Sequence, residues 1–339
     1  MTGLAERLAP PASVPYPGAH LGLRWRPLIA SDGPAVADLI RRVEAADDAI
    51  HRTSASEVAD MMEGHSGVDL LDTAIGLDAE GRVEAVATVR VETAVTEMAV
   101  AVVNAFIAPH WRGRGLGRAL LYWQDGRARQ LLVTQFGADS EVPAAITNIV
   151  DSHMTDRRRL YIAGGFHAQR NFAVMYREIE GSETAPPARA GYTVVPWHEV
   201  PVERVRALHM EVFQDHFWPE MRGVWWEEAV TELDRRWSFV ALDPRGEPAG
   251  YAAVGRPADR WLAEGRTEAY VELIGVGREH RGGGLTSALI GSAVQAAARS
   301  GVSRIGLDVD TTGATHAHAI YEHLGFIDDR SQVYYSIEH

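Results

Sequence analysis

Arg112-Gly113-Arg114-Gly115-Leu116-Gly117, met again as Arg281-Gly282-Gly283-Gly284-Leu285-Thr286, decides how this chain is read. A β-rich run starting at Ala101 enters the first copy, and one starting at Tyr270 enters the second. Behind the first, Leu116, Ala119, Leu120 and Trp123 recur at i, i+3, i+4 and i+7, one face of a helix. Leu285, Ala288, Leu289 and Ala296 supply the same kind of stripe behind the second. Further on, Leu160-Tyr161-Ile-Ala-Gly-Gly165-Phe166 is answered by Ile320-Tyr321-Glu-His-Leu-Gly325-Phe326. Arg112 and Arg281 lie 169 positions apart, Gly165 and Gly325 lie 160 apart, and such near-equal offsets mean a duplicated domain.

A length of 339 residues accommodates two such domains. Gly181-Ser-Glu-Thr-Ala-Pro-Pro-Ala-Arg-Ala-Gly191 has no apolar periodicity and two adjacent prolines, which reads as a linker. The boundaries expected are a flexible, proline-bearing tail over 1–18, a first domain over 19–182, a linker over 183–190 and a second domain over 191–339. Each half reads as helices, an antiparallel meander, the loop-led helix, a strand, a short helix and a last strand. In the second half the hairpin is Ser238–Leu242 and Ala249–Val254 around a turn at Asp243–Gly246, and Gly325 is placed to end the short helix in a left-handed conformation. The fold class is α+β, two tandem lobes, each a mixed and mostly antiparallel sheet flanked by helices.

Composition removes several kinds of function. Thirty-three basic against 46 acidic side chains give a net charge of −13, which opposes broad nucleic-acid binding. The absence of cysteine excludes disulfides, thiolate metal sites and cysteine nucleophiles. No apolar stretch approaches the roughly 20 residues that cross a bilayer, and no signal-type segment is evident, so a cytoplasmic location without membrane contact is expected. His316 and His323 share a helix face at i, i+7, but no carboxylate completes a ligand set, and no metal is expected. No oligomeric state is read from the sequence.

A glycine turn running into a helix offers unpaired backbone N–H groups at the positive end of the helix dipole, which is an anion site suited to phosphate or diphosphate. Arg112, Arg114 and Arg118 surround the first such turn; Arg278, His280 and Arg281 surround the second. Neither turn carries the lysine of a nucleotide P-loop, and Gly113-Arg-Gly115-Leu-Gly117 has the wrong spacing for a dinucleotide fingerprint.

The R-x-x-G-x-G spacing at Arg112–Gly117, with the preceding strand and the later Tyr-x-x-x-Gly-Phe ending, resembles the coenzyme A loop of the GNAT N-acetyltransferase superfamily. The resemblance covers both halves from about Arg24, in a tandem arrangement similar to that of mycothiol synthase and its relatives. The second copy departs from the pattern at Thr286, where the family prefers glycine or alanine, and the asparagine often found upstream of the tyrosine is missing, with Gly313 and Ala314 there.

That resemblance implies acetyl-CoA as cosubstrate, with the first lobe either binding it without turnover or serving as a scaffold. Arg112, Gly113, Arg114, Gly115, Leu116 and Gly117 would hold it in the first lobe, and Arg281, Gly282, Gly283, Gly284, Leu285 and Thr286 in the second. A backbone N–H near Ile107 or Val276 would polarise the thioester carbonyl. The acceptor is a small-molecule amine, which arrives as ammonium and needs a base. Glu272 is the candidate base, with Glu268 as fallback; the same alignment puts Val103 in the first lobe. Tyr321 matches the family's general-acid tyrosine, and Tyr161 stands in its place in the first lobe. The second lobe, holding both proton handlers, is expected to be catalytic. His216, Phe217 and Trp218, near Trp225 and Trp226, are the candidate acceptor wall, with Asp215 or Glu220 attracting the amine. Two rivals stand beside this reading: a non-catalytic double acyl-CoA-binding sensor, and a peptidoglycan aminoacyl-transferase, which the acidic net charge opposes.

Overall fold

Small apolar residues alternate through 83–91 and 99–107, and a period of two sends successive side chains to opposite faces of a sheet. The structure, a computed structural model, describes residues 2–64, 69–216, 218–258, 260–261, 265–312 and 317–339. It divides into one unit made of Met1–Asn171 and Gln332–His339, and a second made of Phe172–Ser331.

In the first unit, strands β1 (Arg24–Arg26), β2 (Thr73–Leu77), β3 (Val83–Val91) and β4 (Ala99–Ile107) pair antiparallel in that order. β5 (Ala144–Asp151) then joins β4 in parallel. Helices α1 (Leu4–Leu8), α4 (Leu116–Phe136) and α5 (Thr155–Ala163) bring Leu4, Leu120 and Tyr161 onto one face, where Ala85, Ala87, Ala101 and Val103 are buried. Helices α2 (Gly33–Asp47) and α3 (Ala55–Met62) pack Val36, Leu39 and Val58 on the other face against Ile75 and Val86. Ser54 caps α3 by accepting from the Glu57 N–H, and Glu57 reaches back to the Ser54 N–H.

The second unit repeats this plan. Its elements are β6 (His167–Glu178) from Phe172 on, β7 (Thr193–Pro196), α6 (Val202–Val212), α7 (Arg222–Thr231), β8 (Phe239–Leu242), β9 (Pro248–Gly255), β10 (Glu268–Val276), α8 (Leu285–Arg299), β11 (Arg304–Asp310), α9 (Ala317–His323) and, as far as Ser331, the start of β12 (Ile327–Glu338). β7, β8, β9 and β10 pair antiparallel, and β11 joins β10 in parallel. α8 and α9 cover one face; α6 and α7 cover the other. Gly325 has φ +83°, the left-handed residue expected to end α9.

The expected boundaries require correction at three places. First, the closing strands are exchanged: Gln332–Glu338 of β12 pairs with β5 of the first unit, and Phe172–Glu178 of β6 pairs with β11 of the second. Both strands are alternating and apolar, so their local sequence does not say which edge each completes. Second, 1–18 is packed rather than a loose tail. Leu4 and Leu8 are fully buried, Tyr16 stacks on Trp123 with centroids 5.6 Å apart, and Gln130 donates to the Pro11 carbonyl at 2.7 Å. Third, 183–190 is no free linker. It lies along α8, where Gln295 donates to the Glu183 carbonyl at 3.2 Å. A Cβ on Gly291 would stand 2.3 Å from Pro186, just as one on Gly126 would stand 3.0 Å from Val14. Gly126 and Gln130 in α4 thus match Gly291 and Gln295 in α8, and each unit carries a strap along its long helix. The strap at 183–190 lacks periodicity, being held by a backbone carbonyl and a proline, whereas the one at 1–18 also buries Leu4 and Leu8 of α1 in the core.

Candidate functional site

Two parallel strands that pair only at their starts make a wedge. β4 and β5 pair over Ala99–Val102 and Ala144–Thr147, and β10 and β11 over Glu268–Val271 and Arg304–Leu307; beyond these points each pair parts. The Ala108 N–H donates to the Glu84 carbonyl and the Gly277 N–H to the Ala249 carbonyl, both at 2.9 Å. Antiparallel alternation then turns the peptide groups of Ile107 and Val276 away from β3 and β9, toward the wedge. The carbonyl of each is already held: Arg112 Nε donates to Ile107 at 3.0 Å, and Arg281 Nε to Val276 at 3.1 Å. What each residue has left to offer is its N–H.

The loops that follow have the geometry of an anion cradle. Gly113, Gly115, Gly282 and Gly284 all have φ between +73° and +90°, and neither Gly115 nor Gly284 caps its helix with a side chain. A Cβ on Gly113, Gly282 or Gly284 would meet nothing within 4 Å, so these glycines serve the positive φ and an open approach rather than packing. Leu116 and Leu285 are buried and can contribute only their backbone. Gly117 makes room for Leu160 of α5, whose Cδ2 would stand 3.1 Å from a Cβ there.

The arginines do less than their sequence positions suggested. Arg112 is clasped by both oxygens of Asp47, at 2.5 and 2.9 Å, and Arg114 leans on Trp111, its guanidinium carbon 4.6 Å from the ring centroid. Arg112, Gly113, Gly117, Ile107 and Tyr161 nevertheless line one cavity of about 690 Å³ in the first unit.

At the mouth of the second wedge the two units differ. The pairing of β10 with β9 slips between Val271 and Leu273, a bulge at Glu272. Ala269 and Val271 face the α8 side, Leu273 faces the α6/α7 side, and Ile274 returns to the α8 side. β4 has no such slip against β3, and Val103 is buried on the α4 side. Glu272 turns toward Gly255, where a Cβ would stand 2.6 Å from its Oε1. Burial, opposed by Arg260 and reinforced by Asp308, pushes the Glu272 carboxyl up to about 7. Asp308, one residue past the last paired position of β11, accepts from the Tyr270 hydroxyl at 2.6 Å and is itself raised by burial. The matching residue in the first unit is Asn148, which donates to the Val103 carbonyl and, at 3.0 Å, to Asn104 Oδ1. One wedge therefore has two carboxyls at its mouth; the other is bridged by an amide.

Glu268, the fallback base, is bound between Arg304, at 2.5 Å, and Arg260, at 3.2 Å, and serves the core instead. Tyr321 is buried, sits edge-on to Phe326 with centroids 6.0 Å apart, and is pushed up to about 12 by that burial; so is Tyr161. Trp226 and Phe213 belong to the core between α6, α7 and the sheet, whereas His216 is half-buried against Phe213 and Trp225, both with centroids 5.1 Å away. Trp218 has φ +52°, a costly conformation for a bulky residue. Phe217, Gly313, Ala314 and His316 lie outside the described residues. His318 is held by Asp328 at 2.8 Å.

Asp308 and two further residues escaped the sequence reading. Gly255 gives Glu272 its space. His209, on the apolar face of α6, is fully buried, with Nε2 2.7 Å from the Arg222 carbonyl and Nδ1 2.6 Å from the Tyr251 hydroxyl. A carbonyl only accepts, so Nε2 carries the proton and Tyr251 donates to Nδ1; burial lowers the histidine's pKa and keeps it neutral. Its only sequence signal is its place in the apolar stripe.

Residues 203–326 match the model of the acetyltransferase (GNAT) family. That match lies within the second unit. No curated protein matches the chain in sequence. Among solved structures, the GCN5-related N-acetyltransferase from Sphaerobacter thermophilus superposes with TM-score 0.71 at 22% identity, over 96% of this chain and 97% of that one. A tandem GNAT protein from the clavulanic acid biosynthesis pathway gives 0.64 at 20%, over 93% and 98%. The glucosamine N-acetyltransferase region of a fungal multi-domain β-N-acetylglucosaminidase gives 0.67 at 13%, over 92% of this chain and 38% of that one. The tandem GNAT fold thus extends over nearly the whole chain. No helix among the described residues is long and apolar enough to cross a membrane.

Proposed function

We propose that the protein is an acetyl-CoA-dependent N-acyltransferase that acylates a small amine directly, in the second unit. The diphosphate is received by the backbone N–H groups of Gly282–Thr286 at the start of α8. The Val276 N–H faces the thioester carbonyl oxygen and stabilises the charge that develops there. Glu272 takes the proton from the incoming ammonium, the freed nitrogen attacks the carbonyl carbon, the C–N bond forms as the C–S bond breaks, and the new amide nitrogen gives up its second proton to solvent. Tyr321, fully protonated at neutral pH, donates to the departing thiolate and recovers its proton from solvent. His216 and Trp218 border the acceptor.

The observation that carries this reading is the carboxyl of Glu272, set on a bulge at the wedge and pushed up to about 7, where a base exchanges protons readily near neutral pH. The test is thiol release from acetyl-CoA with a panel of primary amines. Glu272→Gln is expected to lower kcat/KM by ~10²-fold or more and to abolish the acidic limb of the pH profile near pH 7. Equal activity and an unchanged profile would refute the assignment.

A further inference from the structure

The two straps meet their glycine loops differently. In the first unit the contact is apolar: a Cβ on Gly115 would stand 3.7 Å from Leu21 Cδ2, and one on Gly22 would stand 3.0 Å from the Trp111 ring. The cation at that loop is the loop's own. Arg114 spreads over Trp111 and donates to the His110 carbonyl at 3.1 Å. At the offset of 169 positions between Arg112 and Arg281, Arg114 is matched by Gly283, which has no side chain, and Trp111 by His280.

In the second unit the strap carries an arginine into that gap. A Cβ on Gly283 would stand 2.8 Å from Arg189 Cδ and 3.5 Å from its Nη1, so Arg189 fills the space where a side chain of residue 283 would begin. Gly283 does not share the positive φ of Gly282 and Gly284, so its backbone alone does not call for glycine. The arginine is anchored through Tyr192. The Tyr192 N–H donates to the Arg189 carbonyl at 2.9 Å, its hydroxyl lies 2.9 Å from His280 Nδ1, and its ring centroid is 5.6 Å from the guanidinium carbon. The pair Arg114–Trp111 of the first loop thus has a counterpart in Arg189–Tyr192, with the cation moved from loop to strap.

Arg189 is exposed, and among the described residues no carboxylate pairs with it. Glu279 is turned to His280 Nε2, 3.3 Å away, and Arg281 has committed its Nε to the Val276 carbonyl. A planar guanidinium beside bare backbone N–H groups suits a phosphate, and on a chain of net charge −13 it gives that anion a local positive approach.

We propose that Arg189 binds a phosphate group of the thioester carrier in the second unit, replacing the side chain that Gly283 lacks, so that the strap completes the donor site. This rests on the reading of the second unit as the one that takes acetyl-CoA.

Calorimetry on the full chain with acetyl-CoA tests it. Arg189→Met keeps an unbranched stem over Gly283 and removes the charge; it is expected to weaken binding by the second unit about tenfold, the range of one charge-assisted hydrogen bond. Arg189→Ala/Gly283→Arg, which returns the arginine to the loop as in the first unit, should regain most of that affinity. Binding by the first unit, whose loop is untouched, should not change. Acetyl-dephospho-CoA, which lacks the 3′-phosphate, distinguishes the two sources of phosphate. A loss that persists with it assigns the contact to the diphosphate, and a loss confined to acetyl-CoA assigns it to the 3′-phosphate. Undiminished affinity in Arg189→Met would mean that the stem only props the loop, and would overturn the proposal. So would a double variant that regains nothing, or a wild-type chain that ignores the carrier. A wild type that binds acetyl-CoA but releases no thiol would refute the catalysis proposed above and leave this comparison standing.

Discussion

Arg281 Nε donates to the carbonyl oxygen of Val276 at 3.1 Å, tying the end of β10 to the start of the glycine loop five residues later. The contact takes that carbonyl out of use and holds the neighbouring N–H in direction. Arg281→Ala is therefore expected to act on the donor. KM for acetyl-CoA should rise ~10-fold, the range of one charge-assisted hydrogen bond, with a smaller change in kcat. Steady-state kinetics with acetyl-CoA varied at saturating amine is the measurement.

Tyr321→Phe removes a hydroxyl and little volume from a buried site. Transfer should slow while acetyl-CoA affinity, read by calorimetry, stays within about twofold of wild type. Equal rates would remove the acid role from this residue.

The elevated Glu272 carboxyl has a consequence for stability. Its folded pKa, about 7, lies above the 4.5 of an unperturbed glutamate, so between those values the unfolded chain has lost a proton that the folded chain keeps. Stability falls as pH rises through that window, by about 2 kcal/mol after allowance for partial exposure. Glu272→Gln lacks this term. The difference in urea unfolding free energy between variant and wild type should grow in the variant's favour from pH 5 to pH 8; a constant difference would mean that the carboxyl titrates normally.

Deleting residues 332–339 should unfold the first unit. The deletion removes the strand on β5, the fully buried Tyr335, the buried Val333 and the Gln332 contact to Asp151. The loss is on the order of 5 kcal/mol from the two side chains alone. Hydrogen exchange of the β5 amides, slow in the full chain, should become fast in the truncated one.

The duplication, the element order in each half and the two glycine loops were legible because they rest on local patterns: helical stripes, a hairpin turn at 243–246, and glycines that only a positive φ explains. Glu272 was legible as a residue but not as a bulge, since one extra residue in a strand changes facing and leaves no mark in composition. Gly255 was invisible for a related reason; its role is to be absent where another strand's carboxylate needs room. The strap at 183–190 reads as loose because irregular chain held by carbonyls resembles irregular chain held by nothing, and 1–18 reads so because α1 is a single short turn, Leu4–Leu8, among prolines. The exchange of β6 and β12 was beyond any local reading, as both edges accept the same kind of strand.

The exchange of closing strands also sets a timetable for synthesis. β5 leaves the ribosome roughly 180 residues before the segment that covers it, a delay of about ten to forty seconds at ~5–20 residues per second. Throughout that interval the nascent first half carries a bare sheet edge, open to chaperones and to neighbouring chains on the same message. Synthesis of Gln332–Glu338, rather than emergence of the first half, is the event that lets this half finish.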